Sequence, residues 1–235
     1  MDAGRCAKGA LGQRPLFRCR GVHTRDNRQH RQWSTEMGKI VLTSNVTLDG
    51  VVQDPDGAEG FEHGGWFHQF VGPKDLEDWT ARETQEALHA EVLLLGGRTN
   101  EWFADRMTEQ NLAEGRVGPE WADRVRSMPK YVVSSTVDDP RWRNVTVLRG
   151  DAVKEVSELK GTVDGEILIY ASYQLARTLI EHNLLDELRL VVFPVVVGTG
   201  RRLFDEAGAK KPLHLADTRQ LGDGLVYYSY EIARG

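Results

Sequence analysis

Residues 166–204 read EILIYASYQLARTLIEHNLLDELRLVVFPVVVGTGRRLF, and this run decides the fold. It opens with an apolar strand from Ile167 to Tyr170 and breaks at the small pair Ala171-Ser172. Leu175, Leu179, Ile180 and Leu184 then recur at helical spacing. Residues 188–197 form a second, nearly unbroken apolar run, the pattern of a strand covered on both faces. Strand, helix, strand predicts a parallel crossover unit. Where the first strand hands over to the helix, unpaired N–H groups and the positive end of the helix dipole face outward. That is a natural place for a phosphate.

Working outward, three more strands end in residues suited to anions. Residues 92–95 are a short buried strand that stops at Gly96-Gly97-Arg98-Thr99, with a helix expected over 101–106. The glycines let a ligand approach the backbone, Thr99 can cap the helix, and Arg98 brings positive charge. Lys130–Val133 ends in Ser134-Ser135-Thr136, and Val145–Leu148 ends at Arg149-Gly150 before a helix capped by Asp151. Four such corners on strands running mostly parallel predict a nucleotide cofactor along one edge of the sheet.

The other segments build the body. Residues 39–46 alternate as a strand and end in the turn Thr47-Leu48-Asp49-Gly50. Residues 53–65 are a loop rich in Gly and Asp that carries Glu59, Glu62 and His63 and leads into Trp66-Phe67. It reads either as a substrate wall or as a surface loop plugged by Trp66. Pro73–His89 is a helix with Leu76, Trp79, Glu83 and Leu88 along it, and Asp75, Glu77 and Asp78 read as surface acids matched to its dipole. Residues 111–128 read as a loop and a surface helix after Pro119. Leu213–Leu221 and Leu225–Ile232 form a hairpin around Gly222-Asp223-Gly224 that completes the sheet at one side.

Charge separates the chain into two parts. Residues 1–36 hold eight basic against three acidic residues, so the 22 basic and 32 acidic residues beyond carry a formal charge of about −10. That balance argues against nucleic acid as a partner of the folded part. The first 36 residues have almost no apolar periodicity and no clean amphipathic helix. They read as a disordered basic extension rather than a targeting peptide or a nucleic-acid arm, with Met37 before the first strand as the natural start of a domain over 37–235. Cys6 and Cys19 both lie in the extension, which leaves the domain without thiol or disulfide chemistry. No run is apolar enough for a bilayer or a secretory signal, so the expectation is a soluble, cytoplasmic protein with no membrane partner. Gly198-Thr199-Gly200 lacks the third glycine of a Rossmann fingerprint, no P-loop is present, and the scattered histidines lack metal-ligand spacing.

TLDG at 47–50, LLLGGRT at 93–99, PKYVVSST at 129–136 and LLDELRLVVFPVVVGTGRRLF at 184–204 occur in an order that resembles the dihydrofolate reductase-like family. The branch is that of the C-terminal reductase domain of the bifunctional deaminase-reductase of riboflavin biosynthesis, and the likeness covers Gly38 to about Ile232. It implies a three-layer α/β fold, a central mainly parallel sheet with helices on both faces and a C-terminal antiparallel hairpin. It also implies NADPH across the strand ends, a homodimer, and a small-molecule substrate of the ribosylaminopyrimidine kind. By that resemblance Gly96, Arg98 and Thr99 sit at the cofactor's phosphates, Ser134 and Thr136 receive the 2′-phosphate, and Arg149 lies beside the adenosine. Ala171, Ser172, Gln174 and Leu175 meet the pyrophosphate, while Trp66 and Tyr170 face the substrate.

Two departures stand out. The family's Gly-Ser at the start of the last crossover helix is Ala171-Ser172 here, followed by bulky Tyr173, and its usual aromatic after Thr99 is Asn100. The reaction expected is hydride transfer to a carbon–nitrogen double bond or a ring-opened sugar, with one protein acid to deliver a proton. Asp49 is the first candidate because it follows the first strand at a family-matched position; Glu62 and His63 come after it. The plainer role for Asp49 is a turn residue bonding its own backbone. A second reading of the whole keeps the fold and drops turnover, leaving a non-catalytic nucleotide-binding module or a structural dimer unit.

Overall fold

The computed structural model describes residues 37–113, 118–204 and 210–233. The expectations placed on residues 1–36, the two cysteines included, lie outside the described residues. In the described part β1 (Lys39–Thr47) is followed by α1 (Trp66–Gln69), α2 (Pro73–His89), β2 (Ala90–Gly96), α3 (Gly97–Arg106) and α4 (Glu109–Ala113). Then come α5 (Pro119–Ser127), β3 (Lys130–Val133), β4 (Val145–Leu148), α6 (Ala152–Thr162), β5 (Glu166–Tyr170), α7 (Tyr173–Glu181), β6 (Glu187–Phe193), β7 (Leu213–Leu221) and β8 (Leu225–Ile232).

One eight-stranded sheet runs β4-β3-β2-β5-β1-β6-β8-β7. The first six strands in that order are parallel neighbours, and β8 joins β6 antiparallel and carries β7 at the edge. Both β5 and β6 pair with β1, so the crossover through α7 steps over the central strand. Apolar clusters fill both faces. Ile40, Leu42, Leu94, Ile167 and Ile169 meet α6 and α7 on one side, and Val41, Leu93, Leu95 and Leu168 meet α3 and α5 on the other. This is the three-layer α/β arrangement expected, with the hairpin at the sheet's end.

Several elements differ from the sequence reading, each for a local reason. In β1, Thr43, Ser44 and Thr47 are buried along with Ile40, Val41 and Leu42, because the strand is central and covered on both faces rather than on one. β6 stops at Phe193, four residues short of the run predicted, since Pro194 has no N–H to give a ladder. Val191 and Phe193 belong to the core, and Val196, beyond the strand, is exposed. The helix predicted over 101–106 begins at Gly97, and the surface helix predicted after Pro119 is α5, whose Ala122 and Val125 are buried against the core.

Helix α2 inverts the usual pattern. Leu76 and Leu88 are exposed, whereas Asp75, Glu83, Glu86 and Ala87 are buried. Asp75 is no surface acid: its carboxylate accepts from the amides of Gly72 (2.8 Å), Asp223 (2.6 Å) and Gly224 (3.0 Å), and Asp78 accepts from Gly222 (2.7 Å). The two acids tie the start of α2 to the β7–β8 turn, and the Gly72 amide leads the hydrogen bonds that lower the Asp75 pKa. Among the described residues no helix is long and apolar enough to cross a membrane.

Candidate functional site

Parallel pairing of β4, β3, β2, β5 and β1 puts their carboxyl ends on one side, and a cleft of about 1390 Å³ opens there. That exceeds the roughly 300–1,000 Å³ usual for one small ligand. All four predicted corners line it: Gly96 to Thr99, Ser134 to Thr136, Arg149-Gly150, and Tyr170 to Leu175.

The corners are bonded to each other. The Gly96 amide donates to Ser172 Oγ at 3.1 Å, which joins the end of β2 to the start of α7. A side chain on Gly97 would place its Cβ 2.9 Å from Ser134 Oγ, so α3 can approach the β3 corner only because that residue is glycine. Ser134 Oγ accepts from the amides of Thr136 and Val137, both at 3.1 Å. Arg149 donates to the Val137 carbonyl at 2.9 Å and pairs with Asp138 at 3.3 Å, fastening the β4 corner to the same turn. Arg98 donates to Gln174 Oε1 at 2.9 Å and to the Tyr173 hydroxyl at 3.4 Å. Thr99 lines the cleft beside it.

Ala171 and Ser172 both adopt left-handed backbone, at φ 48° and 42°. Such residues cost on the order of 1 kcal/mol each and persist where surroundings over-determine them. Here the Ala171 amide is held by the Thr43 carbonyl at 3.1 Å, and Ser172 is held by Gly96. Neither α3 nor α7 has a side-chain cap, so first-turn N–H groups remain at both helix starts. Leu175 is buried in the core behind them. Tyr173 forms part of the wall, with its hydroxyl accepting from Arg201 at 2.8 Å; the cleft extends past it from the β4 corner to α2.

Two expected residues lie elsewhere. Trp66 is 1% exposed, donates to the Gln53 carbonyl at 3.0 Å and packs edge-on against Phe193 with centroids 5.1 Å apart. It plugs the loop onto the core, and its neighbours Phe67 and His68 line the cleft instead. Asp49 is absent from the cleft wall. Its carboxylate accepts from Thr47 Oγ1 (2.6 Å), the Val197 amide (3.1 Å) and the Gly198 amide (2.9 Å), with Arg202 at 3.4 Å. Burial alone would raise this carboxyl; the hydrogen bonds from Thr47, Gly198 and Val197 outweigh it and hold the group at about 2. An acid ionised so firmly has no proton to give near neutrality. Asp49 therefore anchors the 195–202 segment to the end of β1, in place of the proton-donor role expected.

Asp49→Asn should accordingly lose about 1–3 kcal/mol, because an amide N–H₂ would face peptide N–H donors. The folded pKa lies below the unfolded 3.8, so the carboxylate's contribution is present above that value and lost as pH falls toward about 2. Urea midpoints at pH 7 and pH 3 should differ less for Asp49→Asn than for the parent chain. Equal midpoints for the two proteins at pH 7 would refute the anchoring role.

The sequence reading missed the inner part of the cleft. Loop residue Asp56 pairs with Arg106 and accepts from Trp102 Nε1 at 2.9 Å, which pins the 53–65 loop onto α3. Trp79 donates to Asn45 Oδ1 at 3.0 Å, and Trp121 donates to the Tyr170 hydroxyl at 3.0 Å, which donates in turn to the Glu83 carbonyl at 3.4 Å. Trp79 and Glu83 share one face of α2; their spacing in the sequence marks a helix without saying that this face meets a cavity.

Comparison with known proteins agrees with this geometry. The family model described as RibD C-terminal domain matches residues 38–227. An uncharacterized protein of Bacillus subtilis (strain 168), YyaP, is 32% identical over 106 residues, which is 45% of this chain and 56% of YyaP. A putative riboflavin biosynthesis protein from Shewanella sp. PV-4 superposes with a TM-score of 0.62 at 18% identity, covering 83% of this chain and 99% of its own. A Thermotoga maritima protein described as a diaminohydroxyphosphoribosylaminopyrimidine deaminase/5-amino-6-(5-phosphoribosylamino)uracil reductase gives a TM-score of 0.53 at 12% identity. It is covered over 57% of its length by 84% of this chain. At these identities the two solved structures speak for the fold.

Proposed function

Because this chain belongs to the RibD C-terminal domain family, we propose that it is an NADPH-dependent reductase acting on a small pyrimidine of the ribosylaminouracil type. The observation that carries the reading is the convergence of four strand ends, with Arg98, Arg149 and the hydroxyls of Thr99, Ser134, Ser135, Thr136 and Ser172 among them, on one cleft large enough for a dinucleotide and a second small molecule. The donor set fits a phosphorylated cofactor: two guanidiniums, uncapped helix starts, and glycine where a side chain would close the corner.

Under this reading Gly96, Arg98 and Thr99 hold the cofactor's phosphates, and Ser134 with Thr136 takes the 2′-phosphate beside Arg149. The turn from Ala171 through Ser172 to Gln174 and Leu175 holds the pyrophosphate. The chemistry such a cofactor supplies is a hydride from its nicotinamide ring. Phe67, Trp79 and Phe103 exclude water from the inner cleft, and Tyr170, fixed between Trp121 and the Glu83 carbonyl, fixes one wall against which substrate is oriented. A homodimer belongs to the same reading, with the exposed Leu213 and Leu215 of edge strand β7 as the candidate contact.

The test is an NADPH titration followed by an NADPH-oxidation assay with 5-amino-6-(ribosylamino)uracil 5′-phosphate. Saturable binding, preference over NADH and turnover are expected. Arg98→Ala should weaken NADPH binding by about 10- to 100-fold, the loss of a charge-assisted contact. Binding without turnover would leave the non-catalytic module, and no binding would end the reductase reading.

A further inference from the structure

Glu83 differs from every other acid near the cleft. It is 8% exposed, it lines the cavity on the same α2 face as Leu76, Trp79 and Thr80, and its carboxyl has no hydrogen-bond or ion-pair partner among the described residues. A buried carboxyl without a protein partner incurs a desolvation cost that a ligand could relieve. Asn45, which lines the same cleft, has its oxygen taken by Trp79, which leaves its amide N–H₂ without a partner among the described residues.

We propose that Glu83 is the specificity-determining residue of this cleft, pairing its carboxyl O–H and C=O with the adjacent acceptor and donor of an uncharged lactam edge on a planar nitrogen heterocycle. The proposal deepens the reductase reading and rests on it for the identity of the cleft. The surroundings keep the carboxyl uncharged. Burial pushes its pKa well above the usual carboxylate range and Glu86, one turn on, pushes it further; Arg82 opposes both. Arg82 is itself committed to Glu86 and to the Tyr227 hydroxyl, and Arg189 of β6 acts on Glu86 rather than on Glu83. From β5 the facing group is the Tyr170 phenol, from α5 the Trp121 indole, and from β1 the uncharged Thr43 and Asn45.

An uncharged carboxyl offers one donor and one acceptor side by side, whereas a carboxylate offers acceptors alone. The first matches the N–H and C=O of a pyrimidinedione; the second matches the two N–H groups of a cationic amidine edge. Trp79 and Phe103 supply apolar faces for the flat ring.

The test uses 5,6-diaminouracil as probe and its 1,3-dimethyl derivative, which has the same ring without the N–H, in calorimetric titrations of the full chain. The probe is expected to bind and the dimethyl derivative to bind at least about 30-fold more weakly, a two-hydrogen-bond difference. Glu83→Gln carries a donor and an acceptor in the same places, so it should keep the probe within about 3-fold, while Glu83→Leu should lose about 30-fold. In the parent chain binding should weaken as pH rises and the carboxyl loses its proton; in Glu83→Gln it should not. NADPH affinity, measured in the same samples, should be the same in all three proteins. No binding of the probe, equal binding of the dimethyl derivative, or a Glu83→Leu protein that binds as the parent does would each overturn the assignment. If those results came with intact NADPH binding, the reductase reading would stand without it; if NADPH failed to bind while the probe discrimination held, the reductase reading alone would fall.

Discussion

Replacing Arg189 with methionine is expected to cost the fold about 3–5 kcal/mol at pH 7, the range for removing one partner of a buried ion pair. Arg189 donates to Glu166 at 2.9 and 2.7 Å and to Glu187 at 2.7 and 3.3 Å. Glu187 also takes Lys39 Nζ at 2.6 Å and Ser229 Oγ at 2.6 Å. The three central side chains are 8–14% exposed. Methionine would fill much of the arginine volume and leave Glu166 without its guanidinium partner and Glu187 with Lys39 as its one remaining cation among the described residues. The m-value should be unchanged, and a loss under about 1 kcal/mol would mean that the network contributes no more than a surface pair.

The pH dependence of the same variant supplies a second reading. Burial would raise the Glu187 carboxyl, but hydrogen bonds from Arg189, Lys39 and Ser229 hold it at about 2, below its ordinary 4.5. Its stabilising contribution is therefore complete above pH 4.5 and fades as pH falls toward 2. In Arg189→Met the Glu187 carboxylate loses the first of the hydrogen bonds that hold it low and its folded pKa rises, so acidification should cost the variant less than it costs the parent. The stability gap between the two proteins should narrow from pH 7 to pH 4. The network sits at the amino ends of β5 and β6, away from the cleft, so NADPH affinity per folded molecule should not change.

How much of this was legible in the sequence depends on whether a residue's role is local. The crossover through residues 166–204 was readable because strand and helix periods are properties of the chain itself, and the four corners followed because parallel strands must end on one side. Asp49 was visible as a turn residue. Its partners at Val197 and Gly198 are 148 and 149 positions away, and nothing near the TLDG motif says where they lie. Trp66 was a wall or a plug until Phe193 was placed against it. Helix α2 was the least legible element, because a pattern search puts leucines inside and acids outside, and here Asp75, Glu83 and Glu86 are buried for hairpin anchoring, the cleft and the ion network.

The second large effect is expected at Gly97. Its backbone is ordinary helix, so a side chain there meets no conformational penalty; the obstacle is space, with Ser134 Oγ at 2.9 Å, Ser134 Cβ at 3.3 Å and Val137 Cγ2 at 3.5 Å from an added Cβ. Gly97→Val would push the Ser134 corner away from α3. Because Ser134 holds the Thr136 and Val137 amides and the Val137 carbonyl holds Arg149, displacement at one corner carries to the next two. NADPH affinity should fall at least about 100-fold, roughly 2.7 kcal/mol. Stability should drop far less, since the corner is at the surface of the cleft and the core beneath is untouched. Gly96→Ala is the matching stability control, its Cβ meeting nothing nearer than 3.8 Å. If Gly97→Val binds NADPH as the parent does, the corners do not act as one cofactor cradle, and the cleft must take its ligand by other contacts.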